Sequence, residues 1–348
     1  MNGSHQRGPT EGPSGGAGRA VRFLAWTTLV LAWLWTALAL QFMIGLPTPA
    51  GILAGIGVPV GLIWTRRRRT VATLLALGFV TTLVVFLSLE PRNDRDWQTA
   101  TSILPAARFE PGDGRVHLEN VRDFRWTSPT RFEAAWYDVT VDLDRLDSLD
   151  VVVEQFGDSG LVAHTMLSFG FGGERWVAVS VEARKEAGEA YGVLAGCFRR
   201  FELVYVIGDE RDLLGLRGAV RENPLYLYPL DVDPAFIRAL FVDLLQEVNR
   251  LRAEPAFYHS FRGNCATTLV EHANRNAARP IPFSVEVLFP ALAGRLLERL
   301  DLLKPCERDP ESFRIDARIR ALADTPDLSR RLRAIPPRGS ADPEAGDP

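Results

Sequence analysis

The chain has 348 residues, a formal net charge of -3 and 47% hydrophobic residues, and its cysteines, Cys197, Cys265 and Cys306, are odd in number. A charge balance so near neutral, with no basic-aromatic pattern, gives no argument for a nucleic-acid partner, and an odd cysteine count excludes a fully paired disulfide framework. The averages conceal an asymmetry: nearly all the long apolar runs precede residue 90, and the remainder of the chain is an ordinary mixture long enough to bury a core.

Residues 1–20 are rich in Gly, Pro, Ser and Arg and read as a disordered cytoplasmic tail. Residues 21–89 read as a membrane anchor of about three spans. Phe23 to Leu46 runs without a charged residue, Gln41 being its most polar member, and is long enough to cross a hydrocarbon core as a helix. Trp26, Trp33 and Trp35 suit such a helix. A cleavable signal would have a shorter apolar core and a small-residue cleavage site, which this stretch lacks. Residues 46–64 form a second apolar run, interrupted by Pro47, Pro49 and Pro59. Arg66, Arg67, Arg68 and Arg69 come next, and residues 70–89 are a third uncharged run of spanning length.

Basic loops stay in the cytoplasm. The arginine block is therefore inside, the third run leads outward, and everything after Leu89 is periplasmic or extracellular. Arg7, Arg19 and Arg22 put the N-terminus inside as well, which requires 46–64 to span. A re-entrant 46–64 would set the two basic clusters on opposite sides.

Residues 90–335 read as one soluble α+β domain, with 336–348 a disordered tail. Residues 90–130 are a polar lead-in. Strands are predicted over Phe132–Leu143, Leu149–Phe156, Leu161–Phe171, Arg175–Glu182, Phe201–Ile207 and Leu225–Leu230, from apolar alternation or short apolar runs. Helices are predicted over Pro234–Arg252, Asn264–Asn276, Pro290–Leu302 and Glu311–Ala323. Strands first and helices later point to α+β rather than a repeating parallel unit.

Gly263 breaks the segment before it, Asn264 is a good N-cap, and Leu269, Val270, Ala273 and Ala277 mark one helical face. Cys265 thus falls in the first turn of a helix, where backbone N–H groups and the dipole favour a thiolate. A buried structural thiol is the alternative reading. A thiol nucleophile needs a base. Of the five histidines, His5 lies in the tail and His117 among charged residues; His272 is two helical turns from Cys265, and His259 precedes it closely. His164 sits in the apolar run Leu161–Phe169. Spacing alone does not choose among these. One face of the strand Arg175–Glu182 carries Trp176, Ala178, Ser180 and Glu182. If this strand pairs antiparallel with the one bearing His164, Glu182 reaches the imidazole as the orienting group; otherwise it is a strand-end carboxylate paired with Arg184. No Cys or His pair has metal-ligand spacing, so neither a metal nor another cofactor is expected.

The stretches Ala163–Phe171, Val179–Glu186, Phe201–Asp212 and Asn264–Thr268 together resemble the domain of unknown function numbered 4105, also described as the Lnb-type N-terminal periplasmic domain after a lipoprotein N-acyltransferase. The resemblance covers about residues 90–280. It implies a circularly permuted papain-like fold related to bacterial cell-wall amidases, in which the histidine strand precedes the cysteine helix. It also implies supporting roles for Asn264, Arg184, Arg211 and Thr267. The family motif reads Asn-Cys-Thr-Thr, whereas Ala266 intervenes here; Tyr258-His259-Ser260 also varies, and the hydrophobic anchor precedes the domain. The resulting expectation is a membrane-anchored periplasmic thiol acyltransferase or hydrolase, with Cys265 as nucleophile, His164 as base and a lipid or lipoprotein acyl group as substrate. The rivals are a peptidoglycan-directed cysteine amidase and a catalytically inert envelope-binding module. Oligomeric state is not legible.

Overall fold

The computed structural model describes residues 14–44, 55, 68–112, 114–156, 162–304, 310–323, 325 and 327–334. The chain forms two units, one comprising residues 1–90 with 198–200, the other 91–197 with the residues from 201 onward.

In the first unit, α1 spans Ser14–Ile44 and α2 spans Arg68–Ser88. Within them Phe23–Met43 and Arg69–Ser88 are long and apolar enough to cross a membrane. Trp35 sets its edge against Phe79 and Phe86, with ring centroids 5.6 and 5.3 Å apart. Helix α1 begins at Ser14, inside the stretch read from the sequence as a tail, and residues 1–13 lie outside the described residues. The middle run 46–64, apart from Gly55, lies outside the described residues, as do Cys306 and the tail from 336.

The second unit is mixed α/β and rich in sheet. In chain order its strands are β1 (Ala106–Phe109), β2 (Arg115–Arg122), β3 (Arg125–Ser128), β4 (Arg131–Glu133), β5 (Trp136–Asp142), β6 (Leu146–Phe156), β7 (Val162–Phe171), β8 (Arg175–Arg184), β9 (Glu202–Asp209) and β10 (Leu225–Pro229). Its helices are α3 (Val193–Gly196), α4 (Glu210–Gly215, continuing as a π-turn Leu216–Val220), α5 (Pro234–Ala253), α6 (Cys265–Asn276), α7 (Val285–Leu288), α8 (Ala293–Arg299), α9 (Asp316–Leu322) and α10 (Leu328–Ala334). The main sheet runs β1-β2-β9-β8-β7-β6-β10, with β5 on β2. Strands β2 and β9 pair in parallel.

The supposed lead-in therefore holds strands of the main sheet. Its alternation is hidden because β2 bulges: Val116 and Leu118 are buried, then Asn120 takes a positive φ of 61° and the register shifts to Val121. The continuous strand expected over Phe132–Leu143 is broken between β4 and β5.

Both faces of the central strands are covered, so their side chains sort by period two. Val151, Val153, Leu167, Phe169, Val177 and Val179 pack in one core with Phe241, Leu244 and Leu245 of α5 and Leu269 of α6. Val152, Met166 and Ala178 pack in another with Leu213 and Leu214 of α4, Ile319 of α9 and Leu328 of α10. Gly172 and Gly173, both at positive φ, turn the chain between β7 and β8. The hairpin register sets Met166 opposite Ser180, which brings His164 level with Glu182 two residues further along.

Candidate active site

Helix α6 begins on a reciprocal cap. Asn264 Oδ1 accepts the Thr267 N–H at 2.9 Å, and the Asn264 N–H donates to Thr267 Oγ1 at 3.1 Å. Asn264 Nδ2 also donates to the Ser260 carbonyl at 2.8 Å, tying the helix start to the preceding turn. Ala266 does not disturb this box, because the box uses only Asn264 and Thr267. The cap sets Cys265 as the first helical residue, buried at 7% exposure.

His164 on β7 and Cys265 on α6 line the same cleft, close enough for each to shift the ionisation of the other. On the other side of the ring, Nε2 lies 2.7 Å from Ser180 Oγ and 3.2 Å from Glu182 Oε1. Ser180 Oγ in turn donates to Glu182 Oε1 at 2.7 Å. With Nε2 engaged by Ser180 and Glu182, Nδ1 is the nitrogen left for the thiol. Behind Glu182, Arg217 Nη2 donates to Oε1 at 2.8 Å, and Arg217 Nε lies 2.9 Å from Glu154 Oε2. Asn223 and Arg221 hold the second Glu154 oxygen at 2.8 and 3.2 Å. A line of alternating donors and acceptors thus runs from the thiol to a buried carboxylate.

These contacts set the electrostatics of the site. Burial opposes charging of His164, but the Glu182 carboxylate and the Cys265 thiolate outweigh it and raise the imidazole pKa to about 10. Burial pushes the Cys265 thiol up, yet the imidazolium of His164 and the Thr165 N–H more than offset it, and the thiol pKa falls below its ordinary value. Burial likewise raises the Glu182 carboxyl, but His164 and Arg217 hold it well below the usual carboxylate range. Each group supports the charged form of its neighbour. Cys197 differs: burial raises its pKa, and hydrogen bonding at Ser260 offsets this only in part.

Other residues singled out by the sequence lie elsewhere. Arg184 is buried against the segment before β1, donating to the Thr101 and Ser102 carbonyls and to Asn93 Oδ1 at 2.8–2.9 Å, its guanidinium 4.3 Å from the Trp97 ring centroid. It clamps that segment and does not pair with Glu182. Arg211 pairs with Asp123 at 2.5 Å. His272 is buried between Tyr205 and Asp243, at 2.6 and 2.7 Å. His259 accepts the N–H groups of Phe261 and Arg262 within its own turn, and His117 faces Thr140. Ser180 was legible in principle, since it shares a strand face with Glu182. Arg217 had no local signal: it rides a π-turn, a feature with no sequence signature that frequents functional sites.

The thiol faces a cleft of about 360 Å³ that opens across the ends of β7 and β8, lined by His164, Glu182 and Lys185 and by the apolar Phe156, Val162, Val193 and Phe289. A second cavity of about 530 Å³ lies beyond the start of α6, where Thr165 and Ala266 line it with Leu167, Leu240, Leu269 and Leu297. The Thr165 hydroxyl is buried there without a hydrogen-bond partner among the described residues.

A family model described as the Lnb N-terminal periplasmic domain matches residues 132–298. That stretch contains His164, Ser180, Glu182, Arg217 and Cys265. No curated protein and no solved structure matches the chain. The family match, with the two helices long enough to cross a membrane, supports a membrane-anchored protein with a periplasmic domain related to lipoprotein processing.

Proposed function

We propose that the domain is a cysteine-dependent acyltransferase or hydrolase acting on the acyl group of a lipid or lipoprotein, built on a permuted papain-like scaffold. The observation that carries this reading is a thiol with a lowered pKa, beside His164, in a cleft walled mostly by hydrocarbon. An apolar cleft, with a further apolar cavity behind α6, suits acyl chains better than cell-wall peptides, whose many amides need polar partners when buried.

In this mechanism the Cys265 thiolate attacks the acyl carbonyl carbon, forming a C–S bond and a tetrahedral oxyanion. The N–H groups of Thr267 and Thr268 are used by Asn264. Those of Cys265 and Ala266, ahead of them in the first turn, are the oxyanion donors, which supply a large share of such rate enhancements. The C–O bond to the leaving group breaks and the departing oxygen takes the proton from His164, leaving a thioester. His164 then removes a proton from the acceptor, an amine for transfer or water for hydrolysis. Attack on the thioester releases the product and regenerates the thiolate–imidazolium pair. Ser180 and Glu182 hold the ring and stabilise its charge.

The test is a trapped intermediate. Protein in proteoliposomes containing a diacyl lipid with a radiolabelled chain is quenched in acid. Label on Cys265, released by neutral hydroxylamine and absent from Cys265→Ala, is the expected result. A wild-type chain that never takes up label from phospholipid or diacylated lipoprotein overturns the reading.

A further inference from the structure

We infer that the rim of the Cys265 cleft is a membrane-docking surface that seats in the outer leaflet of the bilayer holding the anchor. The proposal concerns the rim alone and stands apart from the chemistry of the thiol. Val162, Tyr191, Leu194, Phe261 and Phe289 are exposed large apolar side chains, Phe261 at 55%, and all but Leu194 line the cleft; Phe283, exposed at 77%, shares the adjoining recess with Phe261. Soluble surfaces scatter such residues singly; grouped around one opening they mark a site of contact. Lys185 in the cleft and Arg262 in the recess add positive charge, and aromatic rings with basic side chains are the composition that settles at a lipid headgroup boundary.

The chain itself says which partner meets this end. Helix α2 ends at Ser88, and the Arg92 N–H already donates to Glu202 Oε1 at 3.2 Å. Four residue steps separate them, an extended reach of at most about 14 Å. Glu202 opens β9 opposite Arg184, the last residue of β8 and two beyond Glu182. Its neighbour Phe201 stacks on Tyr191 of the rim, ring centroids 5.8 Å apart. The tether therefore joins the domain at the sheet end where the cleft opens and the apolar rim lies, and its length keeps that point of attachment within reach of a leaflet. A phospholipid leaflet is the occupant this arrangement fits.

The experiment uses the full chain in nanodiscs of phosphatidylethanolamine and phosphatidylglycerol, with Cys197→Ser, Cys306→Ser and Cys265→Ala, so that catalysis plays no part. An environment-sensitive fluorophore is attached at Phe283→Cys, at Phe289→Cys or, as control, at Glu174→Cys on the opposite end of β7 and β8. The expected result is a blue-shifted emission at the two rim positions that doxyl-labelled lipid quenches at least threefold, with the control unmoved. Emission at the rim matching the control overturns the proposal. A blue shift that doxyl lipid leaves unquenched also overturns it, because a second copy or another protein then covers the rim.

Discussion

Arg217 Nη2 donates to Glu182 Oε1 at 2.8 Å, although the two residues are 35 positions apart and sit on different elements. The same guanidinium faces Glu154, so one buried cation balances two carboxylates while the first of them faces the His164 ring. Charge at the thiol is thereby set three residues away from it.

Replacing Glu182 with Gln removes the charge that raises His164. The imidazolium is then less stable, and so is the thiolate it faces. The pH profile of Cys265 alkylation should move up by about one unit, which is roughly a tenfold slower rate at pH 7. Ser180→Ala should give a shift in the same direction but smaller, because the Glu182 charge remains. A profile unchanged in Glu182→Gln would remove this carboxylate from the proposed mechanism.

Cys265 should be the first cysteine to react with a slow alkylating agent. Its pKa lies below the ordinary thiol value and His164 stays protonated up to about 10, so the reactive ion pair persists between those limits. Labelling should hold nearly level across that window and fall at lower pH. Cys197, raised by burial, should respond only at alkaline pH. Mass spectrometry of native protein labelled at pH 6.5 distinguishes them; equal modification would argue for the inert binding module.

Arg217→Met should destabilise the domain by about 3–5 kcal/mol, the usual consequence of stranding a buried charge. The sign with pH is fixed. Glu154 and Glu182 are depressed below 4.5 in the fold, so their pairing stabilises above that value and is lost as pH falls through their folded pKa values. The gap between wild type and variant in thermal unfolding should be widest near neutrality and should narrow in acid. Adding Glu154→Gln should recover part of the loss at pH 7.

Asn264→Ala should cost about 1 kcal/mol through the lost cap. It should also slow Cys265 labelling, since the helix start that positions the thiol is tied to Ser260 by the same side chain. Thr267→Val removes only the reciprocal half of the box and should do less on both measures.

A phosphatase that works only outside the cytoplasm should be active when fused after Thr101, because the arginine block ahead of α2 holds that end of the helix inside. A stable but inactive fusion would reverse the orientation.

Features that depend on local pattern are legible without the fold. The apolar stretches of α1 and α2 and the cap at Asn264 are written in consecutive residues, and so is the period-two sorting of β6, β7 and β8. These read directly because chain geometry alone decides which side chains share a face. Once β7 and β8 are taken as a hairpin, the meeting of His164 and Glu182 comes from counting. The remaining features were set by packing between elements distant in the chain. Whether Cys265 meets His164, His259 or His272 depends on how α6 packs on the sheet, which no spacing encodes. Arg184 and Arg211, both prominent in sequence motifs, went to other partners because any buried guanidinium satisfies itself with whatever acceptors packing supplies. Arg217 and Glu154 entered the site for the same reason in reverse. The strands before residue 130 stayed hidden because a bulge at Asn120 breaks the alternation, and only pairing with β5 and β9 makes them strands at all.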